Sequence, residues 1–222
     1  MNILYGYLFS FLYVFGVLLV VSIIRNLCNA KHNDIYRKLV HIFIAFTWLP
    51  LYQFLHGTWH FIVIPLVFVF ITMMSTKYSL IKIVERDNGN RKDYGIVHYA
   101  VSMTILCVLA NIHPASLIPC GIGVFALSFG DGCASLFGQA FYKMNVHITK
   151  SKTLIGSLAC YIFTICGIFI LNLFIPFSFK FSSIFIIGIV ATLLEIVGGR
   201  YDNYSVPFGA TMMATLIGIG GV

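Results

Sequence analysis

The sequence predicts an all-α polytopic membrane protein, and three observations predict it. Of the 222 residues, 59% are hydrophobic and only 9% charged, with 21 Phe and 12 Tyr; a soluble domain of this length could not keep that much apolar surface in water. The apolar residues come in runs of about twenty, the length a helix needs to cross a bilayer. Thirteen of the fourteen Lys and Arg residues fall in alternate connections between those runs. No polar stretch is long enough to build a second folded unit, so residues 1–222 are read as one membrane domain.

About eight transmembrane helices are expected, near 3–24, 39–56, 59–75, 95–112, 115–139, 154–175, 181–198 and 206–222. The first run has no basic segment ahead of it and is long enough to span, so it is read as a retained helix rather than a signal peptide. Asn111 to Pro114, Pro176 with Ser178, and Gly198 to Asn203 mark helix ends by their turn chemistry. Arg25, Lys31, Arg37 and Lys38 fall in the first connection, and Lys77, Lys82, Arg86, Arg91 and Lys92 in the third. Lys143, Lys150 and Lys152 fall in the fifth and Arg200 in the seventh, leaving Lys180 as the exception. The positive-inside rule then places both termini outside and these basic residues at the cytoplasm. All seven acidic residues, Asp34, Glu85, Asp87, Asp93, Asp131, Glu195 and Asp202, map to the same side. That rule does not govern acids, so their coincidence marks the cytoplasmic face as the one that carries chemistry. Charges of both signs alternate from Lys77 to Asp93, the pattern of a solvated surface without a catalytic role. The six cysteines show no CxxC spacing, which argues against a disulfide framework or a zinc site. No nucleic-acid partner is expected, and oligomeric state is left open, since Gly188, Gly218, Gly220 and Gly221 suit packing within or between chains.

Four groups on that face are candidates for a site. Arg37, Lys38 and His41 stand one turn apart at the entry to the second span, able to hold phosphate oxygens or, for the two cations, simply to anchor the helix. Gly130-Asp131-Gly132, with Ala134 and Gly138, forms a small-residue face. Asp131, whose burial in an apolar run costs several kcal/mol unless paired, is a candidate ligand for a divalent cation on nucleotide phosphates. Lys150, Lys152, Thr153, Gly156 and Ser157 offer ammonium groups, hydroxyls and a helix N-terminus to an anion, without the spacing of a Walker loop. Glu195 interrupts an apolar run and precedes Asp202, Asn203 and Pro207; these suit a second metal ligand, a general base or hydroxyl recognition. His98 would line a site or serve helix packing.

These residues resemble the CTP-dependent lipid-alcohol kinases, which include dolichol kinase, phytol kinase and the fungal-type diacylglycerol kinase. The resemblance is carried by Arg37-Lys38-x-x-His41, Tyr94-Gly95, Gly130-Asp131-x-x-Ala134-x-x-x-Gly138, Lys152-Thr153-x-x-Gly156-Ser157-x-Ala159, and Glu195 with Asp202-Asn203-x-x-Val206-Pro207. It covers residues 37–207 in family order. It implies transfer of the γ-phosphoryl group of CTP to a polyprenol, dolichol, phytol or diacylglycerol hydroxyl, with Mg2+ as cofactor. Asp131 and Glu195 are the implied metal ligands, and Asp131, Glu195, Asp202 and His41 the implied catalytic groups. Arg37, Lys38, Gly130, Lys150, Lys152, Thr153, Gly156, Ser157 and Asn203 are the implied nucleotide and phosphate contacts. Ile155 stands where the family turn carries Glu, so Glu195 or Asp202 is expected to supply that carboxylate. The same segment is similar to phosphatidate cytidylyltransferase, whose Gly-His-Gly-Gly terminal signature is missing here. A CDP-lipid-forming enzyme and a non-enzymatic transporter or scaffold are the alternatives. The short length and the lack of a transit peptide point to a microbial plasma membrane, or to the endoplasmic reticulum of a eukaryote, with the site facing the cytoplasm.

Overall fold

The computed structural model describes residues 2–28, 33–79, 81, 94–142, 146–149 and 151–218. Lys150, Lys143 and the charged stretch 82–93 lie outside the described residues. The described chain is helical, with one isolated bridge between His147 and Thr153. Its internal contacts divide it into two compact units, Met1–Ile105 and Leu106–Val222.

The first unit contains α1 (Ile3–Leu27), α2 (Asn33–Ile44), α3 (Trp48–Leu55), α4 (His60–Tyr78) and the first part of α5 (Gly95–Ile112). A 3-10 turn at Ala45–Thr47 joins α2 to α3, so the two make a single bent span over 34–55. The second span was expected to begin at residue 39; it begins at Asn33. Asp34 in its first turn suits the positive end of the helix dipole and pairs with Arg37 at 3.6 Å, so polar residues that would otherwise read as loop extend the helix. Trp48, Leu51, Leu55, Phe61 and Ile64 are fully buried in this unit. Trp48 meets Phe61 edge-on at 5.3 Å between ring centroids. A methyl group at Gly6 would lie 2.6 Å from the Leu55 side chain, which is why α1 can pass so close to α3.

The second unit continues α5 and adds α6 (Leu117–Phe125), α7 (Gly132–Ala140), α8 (Leu154–Phe174), α9 (Phe181–Gly198) and α10 (Asp202–Leu216). Between α6 and α7 the chain is π-helical over Ala126–Asp131. The whole of 114–140 is nevertheless one apolar crossing, and 89% of its most apolar window is buried, against 17% for α1. The helix carrying Asp131 is therefore enclosed by protein, while α1 presents most of its surface outward. A 3-10 turn at Gly199–Tyr201 folds α10 back along α9. Gly199 has φ +54°, a region glycine enters without strain. Ser205 Oγ donates to the Leu194 carbonyl at 3.1 Å, and a methyl at Gly209 would meet Leu194 and Val190.

Among the described residues, seven helical segments are long and apolar enough to cross a membrane, rather than the eight expected. The difference lies at Phe181–Leu216, a single 36-residue apolar segment that Gly199 bends into two. At 15 residues α10 is about 22 Å long, against a hydrocarbon core of ~30 Å. It also starts at Asp202 rather than at residue 206, with Pro207 inside its second turn.

Candidate functional site

The second unit gathers its acidic residues around Lys152. Lys152 leaves a tight loop in which Ile148 and Thr149 donate their N–H groups to its carbonyl at 2.9 and 3.1 Å. Its own N–H is given to Thr149 Oγ1 at 3.1 Å, and Leu154 N–H bonds to the Val146 carbonyl at 2.8 Å. The loop thus fixes the direction in which the side chain departs. Its Nζ lies 2.5 Å from Glu195 Oε1 and 2.8 Å from Asp202 Oδ2. The side chains are 12%, 4% and 16% exposed respectively, so water screens the contacts little. Glu195 Oε2 accepts from Ser157 Oγ at 3.5 Å, and Asp202 Oδ1 from the Asn203 backbone N–H at 2.9 Å. Asp131, 3% exposed at the end of the π-helical stretch, acts electrostatically on both Lys152 and Glu195. Burial pulls the Lys152 ammonium toward deprotonation; Asp131, Asp202 and Glu195 together outweigh that pull and hold its pKa above the usual lysine value.

Thr153 is the N-cap of α8, in extended conformation, and its hydroxyl accepts from the Gly156 N–H at 3.3 Å. The expected helix start beside Lys152 is therefore where the helix begins. Thr153 and Ser157 are both buried. The small-residue face predicted around Asp131 packs against the start of α8. A methyl at Gly156 would lie 2.9 Å from the Ala134 carbonyl, and one at Gly138 3.0 Å from Thr153 Oγ1. Gly130 similarly faces Thr164, whose Oγ1 would sit 2.4 Å from an added methyl. Glycine at these positions lets α8 approach Asp131 closely enough for Lys152, Ser157 and Glu195 to meet.

Asp131, Lys152, Thr153, Gly156, Ser157, Glu195, Asp202 and Asn203 thus belong to one unit, with Lys152, Ser157, Glu195 and Asp202 in direct contact. Arg37, Lys38 and His41 belong to the other. There they share α2, with Arg37 on Asp34 at 3.6 Å, Lys38 9% exposed, and the His41 ring 4.1 Å from that of Tyr99. Tyr99 as the neighbour of His41 was missed, since nothing in the spacing links α2 to α5.

Among the described residues, no three His, Cys, Asp or Glu side chains meet closely enough to cage a metal unaided. Mg2+ does not need such a cage, because it is commonly held by one or two carboxylates together with substrate phosphates and water. The donor set fits that mode, since Glu195 and Asp202 bring carboxylate oxygens together at Lys152 and Asp131 is a buried carboxylate of the same unit. Compared with protein-family models, curated proteins and solved structures, the chain matches none.

Proposed function

We propose that the protein is a membrane-embedded kinase that transfers the γ-phosphoryl group of CTP to the hydroxyl of a lipid alcohol, a polyprenol, dolichol, phytol or diacylglycerol. The observation that carries the reading is the buried ion cluster, in which Lys152 bridges Glu195 and Asp202 beside Asp131 at the N-terminus of α8. A cluster of this kind is a poor structural device, because desolvating several charges usually costs more than apolar packing of the same volume. It is a good phosphoryl-transfer device, which needs charge neutralisation and positioning more than covalent chemistry.

In the reaction the lipid hydroxyl attacks the γ-phosphorus, the bond from the γ-phosphorus to the bridging oxygen breaks, and CDP leaves. Asp131 and Glu195 would hold Mg2+, which supplies positive charge to the phosphate oxygens when bound. Lys152 and the N-terminus of α8, with Thr153 and Ser157, would hold phosphate oxygens. Asp202 or Glu195 would accept the hydroxyl proton. Both carboxylates lie against Lys152, so either stands in a position to replace the glutamate for which Ile155 substitutes. Arg37, Lys38 and His41 belong to the first unit, and no step of the proposed transfer is assigned to them. The reaction would take place at the cytoplasmic surface of a microbial plasma membrane or of the endoplasmic reticulum.

The test is to supply purified protein with CTP, Mg2+ and prenols or diacylglycerol, and to identify products. Lipid monophosphate and CDP are expected, with loss of product in Asp131→Asn. A CDP-lipid with pyrophosphate from phosphatidate would replace the kinase reading by the cytidylyltransferase one. No nucleotide-dependent product and no stabilisation by CTP and Mg2+ would overturn both in favour of a transporter or scaffold.

A further inference from the structure

The first unit holds a cavity of about 80 Å³ between α1, α2, α4 and α5. We infer that it is a binding site for the aliphatic chain of an oxygen-bearing lipid, with the Thr47 hydroxyl hydrogen-bonding an oxygen of that lipid. This rests on the membrane reading of the chain, and its link to phosphoryl transfer rests on the kinase reading.

Three features support the inference. The first is shape: the wall runs along α4 from Ile64 to Ser75, a rise of about 16 Å of helix, so the space suits a chain better than a ring. The second is chemistry. Val14, Leu18, Val40, Ile96 and Met103 are typical of the wall, and its few hydroxyls are largely committed to backbone. Thr72 Oγ1 donates to the Phe68 carbonyl at 2.7 Å, and Ser75 Oγ accepts from the Ile81 N–H at 3.1 Å. A dry, apolar cavity of comparable scale takes up hydrocarbon rather than water.

The third feature is Thr47. It lines the cavity, is 2% exposed, and its Oγ1 has no hydrogen-bond partner among the described residues. It stands at the 3-10 turn that interrupts the span 34–55. Interrupted helices at membrane depth are tolerated where they line a cavity, and a mid-helix 3-10 turn often marks a functional position. A buried hydroxyl left unmade in an otherwise apolar wall asks for a ligand with one oxygen at that point, which a prenol hydroxyl or an acylglycerol ester supplies.

The experiment uses two photoreactive lipids, a prenol and a diacylglycerol, each with a diazirine in its chain, incubated with the full chain in lipid vesicles. After illumination, labelled residues are mapped by peptide mass spectrometry. Labelling is expected on α4 and α5 near Phe68 and Met103. Met103→Trp and Ala100→Leu, which fill the cavity, are expected to reduce it at least about tenfold. Thr47→Val should reduce it about threefold to tenfold, the range a single hydrogen bond supports. Labelling by one probe alone supports the site and identifies its lipid. Labelling that maps elsewhere, or that survives both filling variants while their melting temperatures match wild type, overturns the inference. Cavity labelling without any phosphorylated product would overturn the kinase reading and leave the lipid site standing. Phosphorylation without cavity labelling would do the reverse.

Discussion

Removing the Lys152 ammonium isolates the contribution of the ion cluster to the fold. In Lys152→Met the stem is kept in outline and the charge is lost, leaving Glu195 and Asp202 facing each other without the group 2.5 and 2.8 Å from them. Breaking a buried ion pair from one side costs about 3–5 kcal/mol, whereas an exposed pair is worth about 0–1 kcal/mol. The 12% and 16% exposure of Lys152 and Asp202 places the expected loss near the lower end of the buried range, at about 3 kcal/mol. For a chain of this size that corresponds to a fall in melting temperature of about 6–12 °C. The assay is thermal unfolding of purified protein in mild detergent at neutral pH, without divalent cations or nucleotide. Adding Glu195→Gln to Lys152→Met should recover at least half of the loss, because it removes the more deeply buried of the two carboxylates that contacted the ammonium. A fall of under about 2 °C, or a double variant no more stable than Lys152→Met, would refute the view that this cluster is a buried, coupled unit.

Four further outcomes follow from the structure. Lys152 has a pKa raised above the free value of 10.5, so its stabilising charge is fully present below that pH and is lost only as pH rises through the higher folded value. The stability gap between wild type and Lys152→Met should therefore stay constant from about pH 8 to pH 10 and close only in stronger alkali, as followed by melting temperature. Asp131→Asn removes a buried charge whose desolvation opposes folding, so it should melt at or above the wild-type temperature. It should lose the stabilisation by CTP and Mg2+, which for wild type at a hundredfold the dissociation constant is about 2.7 kcal/mol. Gly130→Ala, whose methyl would lie 2.4 Å from Thr164 Oγ1, should cost about 1–3 kcal/mol in thermal unfolding. Gly16→Ala, with open space around it on α1, should be neutral or stabilising by up to about 1 kcal/mol.

The legible part of the fold is the part that depends on local pattern. The apolar runs were legible because each has about the length a bilayer demands, although eight were marked where seven long apolar segments are described, and Thr153 marked the start of α8 because its hydroxyl has a backbone N–H to cap. The glycine spacing around Asp131 announced a close helix approach, and α8 is what approaches. What escaped reading depends on contacts between distant residues or on small departures from helix geometry. Glu195 and Asp202 were candidates by their chemistry, yet no periodicity reveals that both meet Lys152, fifty positions before Asp202. The π-helical stretch ending at Asp131 has no sequence signature separate from an ordinary helix. The cavity beside Thr47 is invisible to pattern because its walls are the same Val, Ile, Phe and Met that fill every span.

The placement of Lys152 links folding to the proposed chemistry. Its ammonium ties the loop before α8 to Glu195 on α9 and Asp202 at the start of α10, and the residue that follows it caps α8. The contacts that hold these three helix ends together are thus also the ones an incoming phosphate would have to share. A lysine suits that double duty. Its compact charge sits on a flexible stem and can turn from one oxygen to another, whereas the planar fork of arginine would commit to a fixed bidentate pair. Asp131 on its enclosed helix and Ser157 one turn into α8 frame the space where that exchange would happen, and α8 packs close there because glycines at 130, 138 and 156 leave room for Thr164, Thr153 and the Ala134 carbonyl. Stability and function would then draw on the same few charges. For that reason a variant that quietens the cluster, such as Asp131→Asn, is expected to gain in one as it loses the other.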